Sequence, residues 1–120
     1  MIEFNIDWKF FISAKTKEKS IKIINKPFLE LQISYEIGDC ERYWKDKSLF
    51  IVNVKSNFKW EDIQTAIFNT LELSSFICRR WTIAPPQQFE EEKWEFRGWA
   101  INRNFNFQGI KEASFTMSTV

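Results

Sequence analysis

Few groups in this chain can do covalent chemistry, and they lack the partners such chemistry needs. There is no histidine, which removes Ser-His-Asp and Cys-His catalysis, imidazole metal ligation and histidine-based pH switching. Only three glycines occur, none in a phosphate-cradling loop, so a nucleotide-dependent reaction is not expected. Cys40 and Cys78 fit no metal or CxxC spacing. Cys78 precedes Arg79 and Arg80, whose charges can lower a thiol pKa. The apolar run Phe76-Ile77-Cys78 nevertheless favours a buried structural thiol. Two carboxylates suffice for glycoside hydrolysis, and Glu90, Glu91, Glu92 and Glu95 are the nominees. A charge run of this kind more commonly marks a solvated segment. The expectation is a protein without catalytic residue, metal or cofactor.

The aromatic residues carry more information. Tyr43 and Trp44 lie in a charged segment opened by Gly38 and Asp39 and continued by Glu41, Arg42, Lys45 and Asp46. No periodicity there requires burial. Aromatic rings flanked by charges serve as anchors at protein interfaces and as stacking platforms for bases and sugars. The competing reading folds both rings back over a sheet edge. Trp99 shares neither parity nor face with Trp94 unless a bulge at Gly98 turns both inward. Arg79, Arg80, Arg97 and Arg103 could form a small basic stripe, which Glu90 to Glu92 would neutralise if they pair across strands. The candidate partner-binding set is therefore Asp39, Glu41, Arg42, Tyr43, Trp44, Lys45, Asp46, Arg97 and Trp99.

These residues must be positioned by strands, because alternation with period two is the dominant pattern. Ile2, Phe4, Ile6, Trp8, Phe10 and Ile12 share one face, while Glu3, Asn5, Asp7 and Lys9 take the other, with Phe11 the exception. The run "AKTKEKS" is expected as a solvated turn. Alternation on odd numbers from Ile21 to Ile37 predicts further strand, with a bend, a bulge or an edge position at Pro27. "GDCERYWKDK" reads as a loop and "SLFIVNVKS" as a strand. "KWEDIQTAIFNTLEL" changes period, with Trp60, Ile63, Ile67 and Leu71 on one side, and predicts one amphipathic helix over about residues 58–74. Asn57 or Ser56 is its expected cap. "FICRRWTIA" and "KWEFRGWAI" read as strands separated by Pro85-Pro86. "NRN" is a possible turn, and "FNFQGIKEASFTM" gives one or two last strands. The expected fold is α+β: a mostly antiparallel, strongly curved sheet of six or seven strands, with one central helix on its apolar face.

The length of 120 residues fits one domain over residues 1–120. Hydrophobic residues at 44% and charged residues at 28% describe a globular chain, and a net charge of +1 gives no global footprint for polyanion binding. Acidic residues interrupt the apolar N-terminus, and no run is long enough to span a bilayer. A cytoplasmic protein with free thiols is the simplest expectation.

The order "LELQISYEIGDCE…SLFIVNVKS", "FKWEDIQTAI" and "KWEFRGW", between residues 29 and 99, resembles the layout of small cytosolic immunity proteins from bacterial polymorphic-toxin and contact-dependent inhibition systems. In those families a strand, a Gly-containing acidic loop and a second strand precede a helix, and a Trp-rich segment follows. The resemblance implies a protein that neutralises a toxin, such as a nuclease domain, by charge and shape complementarity. The alternative is a small-ligand or single-stranded nucleic-acid module using surface aromatics beside the Arg stripe. A membrane partner is not expected.

Overall fold

The N-terminal alternation dictates the central strand of the fold. The computed structural model describes residues 1–101 and 104–120. Its elements run β1 (Ile2–Ser13), α1 (Lys17–Leu31), β2 (Glu36–Arg42), β3 (Leu49–Trp60), α2 (Ile63–Ile77), β4 (Thr82–Ile83), β5 (Gln87–Glu90), β6 (Lys93–Ile101) and β7 (Ile110–Thr119). The seven strands form one antiparallel sheet in the order β2-β3-β1-β7-β6-β4, with β5 also pairing β6. β1 pairs along its length with β3 on one side and β7 on the other. Phe4, Ile6, Trp8, Phe10 and Ile12 are fully buried on one face, each stabilising the fold by roughly 1.5–3 kcal/mol.

β1 and β2 both run antiparallel to β3, so they are parallel to each other, and α1 makes the crossover between them. β3 and β7 are likewise parallel across β1, with α2 and the β4–β6 segment between them. Two interlocked β–α–β units of this kind make the split connectivity of ferredoxin-like folds. The sheet is not strongly curled, and two helices, rather than one, cover its apolar face. A second helix removes the need for curvature: closure comes from a layer laid over the sheet.

The unexpected helix, α1, replaces both the predicted solvated turn and most of the predicted second strand. Thr16 caps it by accepting from the Lys19 amide at 3.2 Å. Ser20, Ile24, Pro27 and Phe28 form its buried side, a helical spacing that the odd-numbered alternation of Ile21, Ile23, Leu29 and Leu31 masks. Phe28 meets Trp8 and Phe10 edge-on at 5.8 and 5.9 Å. Pro27 and Phe28 are buried together, so packing outweighs the hydrogen bond that a proline inside this helix cannot make.

α2 begins later than predicted, because β3 continues to Trp60. Val52, Val54, Ser56, Phe58 and Trp60 keep one parity toward the helices, and Phe58 and Trp60 stack at 4.5 Å. Asp62, rather than Asn57 or Ser56, is the cap and accepts from the Thr65 amide at 2.7 Å. The buried face of α2 is Ala66, Thr70, Ser74 and Ile77. Its small residues allow close approach to the sheet, and the Thr70 and Ser74 hydroxyls donate to carbonyls one turn back. Phe76 and Ile77 therefore end a helix instead of opening a strand. Trp81 then folds inward, donating Nε1–H to the Ser74 and Cys78 carbonyls and packing on Trp8 and Phe115.

β6 is regular through Gly98, whose partner in β7 is Phe115. No bulge forms, so Phe96, Gly98 and Ala100 face the core while Arg97, Trp99 and Ile101 face outward. A Cβ on Gly98 would lie 2.4 Å from Phe115 Cε2 and 2.8 Å from Ile83 Cδ1. Gly98→Ala is expected to cost roughly 1–3 kcal/mol by overpacking, measured by urea unfolding. Gly38→Ala, where the nearest atom is 3.7 Å away, should stay within about 0.5 kcal/mol.

Candidate functional surface on the open face of the sheet

Both helices lie on one side of the sheet, which leaves the other side uncovered. Strand registers arrange its side chains in rows. One row reads Glu41, Ile51, Phe11, Glu112 and Ile101 from β2 to β6. The next reads Asn53, Lys9, Ser114, Trp99 and Thr82 from β3 to β4. A third reads Glu36, Lys55, Asp7, Thr116 and Arg97. The third row alternates charge and compensates itself across strands. The first two carry the apolar groups.

The β2–β3 hairpin adds to them. Gly38 to Arg42 belong to β2, so the predicted loop contracts to Tyr43–Ser48. Tyr43 folds back over the sheet with its ring 5.1 Å from Phe11. Trp44 does not: it is 77% exposed, touching Tyr43 edge-on and lying under Lys45. Lys9 sits over Phe11 at 5.5 Å. Trp99 and Ile101 are 43% and 57% exposed, two strand spacings, ~10 Å, from Phe11. Tyr43, Trp44, Phe11, Ile51, Trp99 and Ile101 thus make a broken apolar surface rimmed by charge.

The remaining predicted residues divide by role. Arg42 donates to the Lys47 and Lys15 carbonyls and covers the Phe50 ring, so it ties the hairpin down. Asp46 accepts from both the amide and the hydroxyl of Ser48, and these hydrogen bonds hold its carboxyl below the usual value of 3.8. Asp39 lies beside a concavity of about 540 Å³ with Asp7, Glu36 and Lys55, and Glu41 stands at the outer edge of the Phe11 row. Arg97 pairs with Glu95 on its own strand, not with Glu90 to Glu92, which form the exposed end of β5 and the β5–β6 turn. The predicted Arg stripe is therefore divided. Arg79 and Arg80 adjoin Trp99 and Ile101 around a concavity of about 600 Å³, whereas Arg103 lies outside the described residues, as does most of the "NRN" turn.

Sequence reasoning missed Phe11, Ile51 and Ile101. Phe11 was detectable as the one apolar residue on the polar parity of β1. Cys40 and Cys78 are buried thiols, Cys40 with its Sγ 3.2 Å from Ser20 Oγ. Among the described residues, no group of His, Cys, Asp and Glu could hold a metal ion, and no helix is long and apolar enough to cross a membrane. No protein-family model, curated protein or solved structure matches this chain. What defines it is an α+β, split β–α–β framework with one sheet face left open.

The Ser48 hydroxyl and amide favour the ionised form of Asp46. A depressed carboxylate stabilises the hairpin above its ordinary value of 3.8, and that contribution is lost as pH falls through the lower folded value. Asp46→Ala should remove it at every pH. Hydrogen exchange should show reduced protection of the Ser48 amide in the variant at neutral pH, and the same loss in the parent protein only on strong acidification.

Proposed function

We propose that this protein is a non-catalytic binding protein that docks a protein partner on the open face of its sheet, and that it is a cytoplasmic immunity protein neutralising a bacterial toxin. The observation that carries the docking reading is Trp44, the most exposed of the large aromatic side chains, held on an ordered hairpin beside Tyr43 and Phe11. Rigid aromatic anchors with a charged rim are the composition of interface hot spots. The sheet edges favour face-on docking over strand addition. β2 carries a bulge between Ile37 and Cys40 and a run of charges, and Pro85-Pro86 interrupts the β4–β5 edge. The toxin reading rests on the resemblance of the chain order to immunity proteins.

A second reading, a small-ligand or single-stranded nucleic-acid module, draws support from Arg79 and Arg80 beside exposed Trp99.

The test is co-purification with a toxin encoded beside this gene, followed by affinity measurement. Trp44→Ala and Trp99→Ala should each weaken the complex by roughly ten-fold or more, the range of interface hot spots, with unchanged melting temperature. Failure to pair with any such toxin would remove the immunity reading. Full affinity in both variants would remove the docking surface.

A further inference from the structure

The helix that replaced the predicted basic turn also creates a charged groove on the opposite side of the molecule. Lys19, Lys22 and Lys26 recur at steps of three and four residues along α1 and therefore share one stripe. Together with Ile23, Phe107 and Gln108 they line a groove of about 360 Å³. Beyond Lys26 it continues into a second concavity of about 620 Å³ lined by Glu30, Phe76, Asn106, Phe107 and Gln108. Phe76 and Phe107 are stacked at 5.5 Å, and Phe107 remains partly accessible. Asn106 fixes this wall by donating to the Ser75 and Phe76 carbonyls.

Among the described residues, none of the three lysines makes an ion pair, and the only carboxylate lining the continuous groove is Glu30 at its far end. On the open sheet face, by contrast, Lys55 lies between Glu36 and Asp7, and Arg97 holds Glu95. A net charge of +1 thus conceals a local excess of positive charge along α1.

We propose that this groove binds single-stranded nucleic acid, with Lys19, Lys22 and Lys26 on consecutive phosphates and the Phe107 ring against a base. Charge complementarity supplies the first argument. Axial steps of ~4.5 and ~6 Å between the lysines suit neighbouring phosphates of an extended strand. The second argument is the aromatic floor: a π-face accepts any base, whereas an acidic peptide or a lipid headgroup gains nothing specific from it. The site shares no residue with the open-face docking surface and stands independently of the immunity reading.

The experiment is fluorescence anisotropy of labelled oligo(dT) and oligo(rU) with the full chain, with polyglutamate and phosphatidylserine vesicles as competitors. Three phosphate contacts predict a log–log salt slope of about −2, so raising salt from about 50 to about 200 mM should weaken binding roughly twenty-fold. Combined Lys19→Gln, Lys22→Gln and Lys26→Gln substitutions should weaken binding at low salt by roughly ten-fold or more and flatten the slope. Phe107→Leu, which keeps an apolar side chain without a π-face, should weaken binding and leave the slope unchanged. Circular dichroism should show both variants folded. The proposal is overturned by absence of oligonucleotide binding at low salt, by equal binding in the lysine variant, or by competitors that displace the oligonucleotide at equal charge concentration.

Discussion

The apolar stripe of β1 is the constraint on which the rest of the structure depends. Phe4, Ile6, Trp8, Phe10 and Ile12 cannot be satisfied by one neighbour, so β1 takes the centre of the sheet, between β3 and β7. Trp8 is the junction. Its ring meets Phe10, Phe28, Trp81 and Phe115, joining α1, the segment after α2 and β7 in one contact. Its Nε1–H finds no acceptor among the described residues, a cost of about 1–3 kcal/mol that the surrounding packing must exceed. Because all this burial lies on one parity, both helices are drawn to one face and the other stays bare. The surfaces proposed to bind partners therefore lie on the open face and on the outer flank of the helices.

The strands were legible wherever polar and apolar residues alternate over many positions. β1, the first half of β3 and β6 are recoverable from pattern alone, as is the α+β class. The failures share a cause. In α1, isoleucines at positions 21, 23 and 24 satisfy strand and helix periods at once, and Pro27 biases the choice toward a bend. Only the Thr16 cap and the Ser20, Ile24 and Phe28 spacing distinguish the two. At the start of α2, Trp60 fits both periods. Asp62 is the better cap, but its position becomes clear only when Phe58 and Trp60 are seen facing the helices. Gly38 and Asp39 suggested a loop because turn residues also occur in bulges, and a bulge is where they sit.

The candidate surface was legible in part. Trp44 stood out because nothing periodic called for it to be buried, and it is exposed. The two halves of the Tyr43-Trp44 pair nevertheless part company, one ring anchoring the hairpin on Phe11 and the other facing solvent. Arg42 and Asp46 look like interface charges in sequence, yet their hydrogen bonds hold the hairpin in place. Trp99 could be assigned an outward face only once β6 was known to be regular at Gly98. Glu112 and Ser114 separate the two apolar groups, a relation between strands distant in sequence that no local pattern encodes.

Partition between a closed face and an open one is the central claim, and side-chain footprinting in a complex with the proposed protein partner tests it most directly. Hydroxyl-radical oxidation should mark Trp44, Trp99 and Tyr43 in the free protein and spare them in the complex. Exposed Phe68 and Leu29 on the helices should react equally in both. Protection of Phe68 and Leu29 with continued oxidation of Trp44 and Trp99 would contradict the account and place the partner on the helical side.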